Sequence, residues 1–501
     1  METTTYKLNP RTMDFVKSKT VKKMFIGGQF VEAASGKTFS TYNPATNEIL
    51  AYVAEGDKED IDRAVAAARH AFEEGPWSSM LPQERARLIY TLADLIERDA
   101  DVFAEIESLD NGKPISESRG FDVPMTVEHF RYYAGWATKI TGDVLPVNVP
   151  NIHNYVRREP LGVVGQIIPW NFPLLMAAWK LGAALATGCT IVLKPAEQTP
   201  LSALYLAKLF QEAGFPDGVV NVVPGFGETA GKSLATHPDV DKIAFTGSTE
   251  VGKLIMGYAG QNLKRVTLEL GGKSPNIVFP DADFTRAVPG AMQAIFFNQG
   301  QVCSAGSRLY IHKSQYDNVL SDMVNYAGTQ VRQGHGLDPR TSMGPLVSEE
   351  QVARVTSYIE RGLEQGAKVA VGGERAAGDL ANGYFVKPTV FYDVHDEMAI
   401  AQEEIFGPVV AAMPFDDIDD VIKRANLSTY GLAAGVWTQN MNTAFTVAHK
   451  LKAGSVWINC YNMFDAASPF GGYKQSGIGR EMGEYALENY TQIKSVWVNY
   501  N

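Results

Sequence analysis

Cysteine is scarce, with three in 501 residues at Cys189, Cys303 and Cys460. An odd number at such wide spacings supports neither a disulfide framework nor a CxxC metal site, and fits a reducing, cytoplasmic setting. The eight histidines include no HExxH or HxH pair, so no zinc ligand set can be written and no catalytic metal is expected. No run approaches the ~18 uncharged apolar residues of a membrane span. The polar opening METTTYKLNPRTMDFVKSKT also lacks the apolar core of a signal peptide, so an unexported chain with no membrane partner is expected. Positive charge is in deficit: 45 Lys and Arg against 56 Asp and Glu leave −11, which repels phosphate backbones and argues against nucleic acid as a partner. Disorder and collagen-like repeats are excluded by 45% apolar content and only 46 glycines and 25 prolines.

At roughly 100–200 residues per domain, the length implies about three domains. Asp57 is a plausible N-cap, with Asp60 three residues on and Ile61, Val65, Ala68 and Phe72 at helical spacing. A second helix starts near Pro82 and carries Leu88, Ile89, Leu92, Leu95 and Ile96 until Asn111-Gly112. The first 140 residues therefore read as largely helical. Between 160 and 270 the pattern changes to short apolar runs: Val163 to Ile168, Thr190 to Leu193, Val219 to Val223, Lys242 to Phe245 and Arg265 to Leu268. Their starts are 27, 29, 23 and 23 residues apart. Gaps of that length suit a crossover helix, such as Leu201 to Ala213 or Glu250 to Tyr258, and a parallel βαβ ladder is predicted. From about 271 a second α/β region follows, with a helix over Glu349 to Glu364 and a strand over Ala367 to Val371. The tail Thr491 to Tyr500 reads as a strand without an obvious neighbour, free to pair elsewhere or with another subunit.

Ligands of open parallel sheets bind at the carboxyl ends of the strands. Here those ends read Pro169-Trp170-Asn171, Lys194-Pro195-Ala196-Glu197, Pro224-Gly225-Phe226-Gly227, Thr246-Gly247-Ser248 and Glu269-Leu270-Gly271-Gly272. The stretch Gly225 to Gly231 has the strand-to-helix context of a dinucleotide fingerprint, but its small residues equally serve close helix packing. Gly247 to Lys253 resembles a phosphate loop, yet Leu254 stands where a magnesium-binding Ser or Thr is needed, which disfavours a nucleotide triphosphatase. Cys303 lies in a loop of small residues between Gly300 and Gly306. A lone cysteine is more often an inert buried residue than a nucleophile, and Cys189 and Cys460, beside apolar runs, take the inert reading. Glu269, flanked by leucines, reads as a desolvated general base or as a paired structural acid. Asn171 reads as an oxyanion donor or a turn cap.

Six segments in order then decide between these readings. Pro169-Trp170-Asn171-Phe172-Pro173, Lys194-Pro195-Ala196-Glu197, Phe245-Thr246-Gly247-Ser248-Thr249, Leu268 to Ser274, Gly300-Gln301-Val302-Cys303 and Glu404-Ile405-Phe406-Gly407-Pro408 resemble the NAD(P)-dependent aldehyde dehydrogenase superfamily. The resemblance runs over nearly the whole chain. It implies an α/β fold with a Rossmann-like cofactor domain (20–140 and 160–270), an α/β catalytic domain (271–470) and a small β oligomerisation element (141–159 and 486–501). It implies Cys303 as nucleophile, Glu269 as general base and Asn171 as oxyanion donor. NAD would lie against Ile167, Ile168, Pro169, Trp170, Lys194, Glu197, Gly227, Phe245, Thr246, Gly247, Ser248, Glu404 and Phe406. Glu197 would accept the ribose 2′ hydroxyl and repel a 2′ phosphate, favouring NAD over NADP. Phe172, Met176, Trp179, Tyr461, Phe464 and Phe470 would line an aldehyde tunnel suited to an apolar or amphipathic substrate, with betaine aldehyde a competitor through cation–π contact. These aromatics equally suit core packing. Lys180 and Glu481 match positions of a proton relay, or form an ordinary ion pair. One departure stands out: Gly225 to Gly231 is not a strict GxGxxG. The expected activity is oxidation of an aldehyde to an acid through a thiohemiacetal and thioester, in a homodimer or homotetramer. The alternatives are a CoA-acylating relative, which Glu269 disfavours, and a catalytically silent binding or structural relative.

Overall fold

The computed structural model describes residues 6–16, 18 and 20–500. The first five residues of the polar opening lie outside the described residues. Two large sheets dominate. In the first, the strands run in the order Gly477–Ile478, Arg265–Glu269, Lys242–Thr246, Val163–Ile167, Thr190–Lys194, Val220–Val222, Met24–Ile26 and Gln29–Val31. Its five central strands pair in parallel and its edges are antiparallel. The predicted ladder is thus present, each strand matched to within two residues. Helices Leu201–Ala213 and Thr249–Ala259 supply two of its crossovers.

The chain runs outward from strand 163–167 through 190–194 to 220–222, then returns to the other flank of 163–167 as strand 242–246. Strands 163–167 and 242–246 are in register, Phe245 opposite Ile167. Because successive connections leave this pair in opposite directions, a crevice opens beyond its carboxyl ends. Pro169-Trp170-Asn171 and Gly247-Ser248 therefore face each other.

The second sheet has the order Lys368–Val371, Thr389–Tyr392, Val409–Phe415, Arg308–His312, Pro275–Val278, Ala433–Trp437 and Ser455–Ile458, parallel except for its first pair. A third sheet joins Thr491–Asn499 to Ile152–Pro160 over nine antiparallel pairs, with Val144–Leu145 at its edge. The tail strand finds its partner within its own chain.

The N-terminal third departs from the helical reading. Strands Met24–Ile26, Gln29–Val31, Thr38–Asn43 and Glu48–Ala54 precede the first long helix. The first of these pairs with strand 220–222, almost 200 residues away (Phe25 opposite Val222). Such short segments owe their conformation to distant partners, which local periodicity does not report. Helix Lys58–Glu73 does carry the expected Asp57–Asp60 capping box. The next helix ends at Arg98 and a new one begins at Ala100, where one continuous helix was predicted. Asp99 breaks it, its buried carboxylate taken by Arg98 and by the Tyr205 hydroxyl at 2.9 Å. Packed against strand 190–194 and the helices 82–98 and 123–136, all fifteen residues of helix Pro173–Thr187 are buried, so its apolar circumference is a core element. Among the described residues no helix is long and apolar enough to cross a membrane.

Candidate active site

A cavity of about 270 Å³ opens at the crevice and runs between the two large sheets. Its mouth is formed by Pro169, Trp170, Thr246, Gly247, Ser248, Glu404 and Phe406, its middle by Asn171, Glu269 and Cys303, and its far end by aromatic side chains. Each element delivers one part. Strand 163–167 ends at Asn171, strand 265–269 ends on Glu269, and helix Phe284–Phe296 gives way to the bend that presents Cys303. In that bend Asn298 and Gln299 adopt left-handed backbone angles (φ 45° and 57°). The bend is held by Asn298, which donates to the Asn171 carbonyl at 2.8 Å, while Asn171 Nδ2 donates to the Gln301 carbonyl at 2.9 Å. An amide nitrogen carries two hydrogens, so Asn171 keeps a second donor.

Two glycines are required by close approach. A Cβ on Gly272 would lie 2.5 Å from the Cys303 carbonyl oxygen, and one on Gly471 would lie 2.7 Å from Glu269 Oε1. Glycine here lets the backbone press directly on the Cys303 loop and on the Glu269 carboxylate.

The electrostatics are those of a dry site. Burial pushes the Cys303 thiol up to about 12, aided by the carboxylates of Glu269 and Glu404. Burial, then the charge of Glu481, holds Glu269 well above the usual carboxylate range, opposed by Lys180 and Arg480. Glu269 Oε2 has no hydrogen-bond partner among the described residues. Burial raises Glu404 to about 7 although Gly272 N–H donates to it at 3.1 Å. In this state burial disfavours the charged form of both the thiol and Glu269, and a positive charge arriving at the mouth would ease the release of either proton.

The sequence matches the Aldehyde dehydrogenase family over residues 30–496. The chain belongs to the aldehyde dehydrogenase family. It is 60% identical to a Bacillus cereus aldehyde dehydrogenase solved as an NAD+ complex, with a TM-score of 0.97 over 99% of this chain and 100% of that one. Human mitochondrial aldehyde dehydrogenase is 55% identical over 95% of this chain and 92% of its own length. The benzaldehyde dehydrogenase of Antirrhinum majus is 54% identical over 95% and 88%.

Within this aldehyde dehydrogenase, the predicted triad of Cys303, Glu269 and Asn171 shares one cavity. Of the predicted cofactor residues, Pro169, Trp170, Thr246, Gly247, Ser248, Glu404 and Phe406 are on its wall, whereas Ile167, Ile168, Lys194, Glu197, Gly227 and Phe245 are not. Lys194 Nζ meets Glu197 at 3.1 Å, and its side chain runs past Gly231, beside the glycine-rich turn. Phe406, at φ 64°, sets its ring edge-on to Trp170 at 5.1 Å.

Of the predicted tunnel residues, Phe172, Met176, Trp179, Phe464 and Phe470 line the far end. Tyr461 does not. Its hydroxyl donates to the Ser304 carbonyl at 2.8 Å and its ring packs on Trp457, so it props the loop behind Cys303. Phe121, Leu175 and Phe297 complete the wall and escaped the sequence reading. Leu175 could have been found: Phe172, Leu175, Met176 and Trp179 share one helical face at i, i+3, i+4 and i+7. Phe121 belongs to no motif; it reaches the site from a π turn, Ser118–Asp122, to meet Phe297 at 5.5 Å. Gln351 and Arg354, also unforeseen, hold the Glu404–Phe406 segment: Gln351 Nε2 donates to the Phe406 carbonyl at 2.7 Å and Arg354 Nη2 to the Glu404 carbonyl at 2.6 Å. Lys180 and Glu481 form a buried ion pair at 2.6 Å. Cys189 is wholly buried, its thiol turned to the Tyr490 carbonyl at 3.3 Å.

Proposed function

We propose that this chain oxidises an aldehyde to a carboxylic acid with NAD, and that Cys303 is the nucleophile. The supporting observation is the meeting of Cys303, Glu269 and Asn171 in one cavity, beyond the carboxyl ends of the two strands where the sheet order reverses. The crevice fits a dinucleotide: it offers backbone around Gly247 for close approach, the Glu404 carboxylate for a ribose, and a Lys194–Glu197 pair at the end of the next strand. Bound there, NAD supplies a cationic ring that accepts the hydride.

The chain's own residues do the rest. Cys303 gives its proton to solvent water, and its sulfur adds to the carbonyl carbon, forming a C–S bond as the C=O π bond opens to an oxyanion. The free hydrogen of Asn171 Nδ2 and the Cys303 backbone N–H stabilise the resulting oxyanion, a contribution of about 10²–10³ in rate per donor. Collapse of the oxyanion re-forms the carbonyl as the C–H bond breaks and the hydride leaves, and the product on Cys303 is a thioester. Glu269, deprotonated for this step, takes a proton from water, whose oxygen attacks the thioester carbon; the C–S bond breaks and acid and thiolate separate. Glu269 favours water over CoA as the acceptor because water needs a base.

We assign residues 20–140 and 160–270 to the cofactor domain, 271–470 to the catalytic domain, and 141–159 with 486–501 to an oligomerisation element. The three-stranded sheet of that element exposes Val144, Leu145, Ile493 and Trp497, apolar surface suited to a homodimer or homotetramer. Glu197 favours NAD over NADP, and three unpaired cysteines suit the cytoplasm.

The substrate is an apolar, aromatic or aliphatic aldehyde. Trp179, Phe464 and Phe470 form an aromatic cluster with centroids 5.4–6.2 Å apart. Lys113 Nζ already sits 4.0 Å from the centroid of Phe172, which disfavours a second cation against that ring. NADH formation and acid release across aliphatic, aromatic and trimethylammonium aldehydes test the reading. Turnover that requires CoA, or is fastest with the trimethylammonium aldehyde, would replace it.

A further inference from the structure

On the far side of the first sheet, an open groove of about 560 Å³ lies between helix Pro10–Val16, the segment leading into strand 24–26, and helix 201–213. In a chain of net charge −11, its walls gather Arg11, Lys22, Lys23 and Lys208 against a single acid, Asp14. Two of the cations are already satisfied: Arg11 is paired with Asp99, and Lys23 with Glu32 at 3.4 Å. Lys22 and Lys208 have no carboxylate partner among the described residues. Both instead converge on the Phe15 ring, with Nζ at 5.1 and 4.5 Å from its centroid, and Lys208 is also 5.3 Å from that of Tyr205.

Lys22 is only 7% exposed. Two ammonium groups that share one aromatic ring and have no counter-charge among the described residues repel each other. Burial and the charge of Lys208 both push Lys22 down, and burial lowers Lys208. A multivalent oxyanion would remove both penalties at once. Phe30 and Leu204, also on the wall, offer an apolar face for an attached organic part.

We propose that this groove is an anion site that binds a small phosphoryl or pyrophosphoryl compound between Lys22 and Lys208. It is separate from the catalytic cavity, with which it shares no lining residue. Charge-assisted hydrogen bonds to two lysines hold the oxygens, and the groove exceeds the volume of a bare phosphate.

Calorimetric titration of the full-length protein tests the site, with inorganic pyrophosphate and ribose 5-phosphate as probes. The dinucleotide crevice is told apart by the two lysine variants, which leave its lining untouched, and ionic strength is held constant with chloride. One saturable site per chain is expected, weakened roughly tenfold or more in Lys208→Gln and again in Lys22→Gln, as loss of a charge-assisted contact predicts. Tighter binding of the ribose ester identifies an organic phosphate as the occupant; tighter binding of pyrophosphate identifies the inorganic ion. Lys208 is exposed, so Lys208→Gln keeps its fold, and its aldehyde oxidation without added anion stays at the parent rate. The proposal is overturned by heats that do not saturate or by a Kd unchanged in both variants.

Discussion

Cys303 and Cys189 are the same residue in two environments, one on a cavity wall and one in the core, and opposite parts are proposed for them. Cys189 sits at the foot of helix 173–187, surrounded by the apolar core, its thiol donating to one backbone carbonyl. Burial raises it, and it lies on the wall of no substrate cavity. Cys303 is half-buried on a cavity wall, between two raised carboxylates, on a loop bent through two left-handed residues. Burial raises it as well. What separates an inert thiol from a proposed nucleophile is therefore not its resting acidity but access, a base on the same cavity and an amide placed for the oxyanion.

The largest effect that would break this contrast is on turnover. Cys303→Ala is expected to abolish NADH formation, whereas Cys189→Ala keeps it; steady-state assays of the two variants compare them directly. Next, Glu269→Gln should slow acid release by about 10²–10⁴, leaving a burst of NADH followed by weak turnover. Equal loss of the burst and the steady phase in stopped-flow traces would assign Glu269 to the first proton as well.

Thiol reactivity sharpens the comparison. With the Cys303 thiol raised to about 12, alkylation of the cofactor-free enzyme by iodoacetamide should climb about tenfold per pH unit between 7 and 9, because only the thiolate reacts. Adding NAD should accelerate it at pH 7. Peptide mapping should find Cys189 unlabelled throughout, until the protein is unfolded.

Smaller effects concern stability. Cys189→Ala leaves a small void in a close-packed core and should cost about 1–2 kcal/mol, read as a lower Tm. Glu404, raised from 4.5 to about 7, binds its proton more tightly folded than unfolded. Its stabilising contribution is complete below about 4.5 and is lost as pH rises towards about 7. Glu404→Gln should therefore flatten that part of the Tm–pH curve and raise Tm at pH 8.

Much of this was legible in the chain itself. The parallel ladder could be read because a strand buried on both faces must be a continuous apolar run, and because a crossover needs more than twenty residues between strand starts. Cys303, Glu269 and Asn171 could be named only through the family resemblance of the short segments that carry them, since their own chemistry left the inert, paired and turn-cap readings open. The same local logic failed for Met24–Ile26 and for the break at Asp99. There the deciding partners, Val222 and Tyr205, are more than a hundred residues away in sequence. It failed too for Phe121 and Tyr461, whose rings are ordinary in composition and differ only in where the backbone carries them. The linear chain determined which groups are present and which segments form strands and helices, because periodicity, capping and motif spacing are local properties. Only the tertiary structure decided which groups meet, how dry they are and which cysteine faces a base, because burial and charge proximity depend on distances that close across the whole fold.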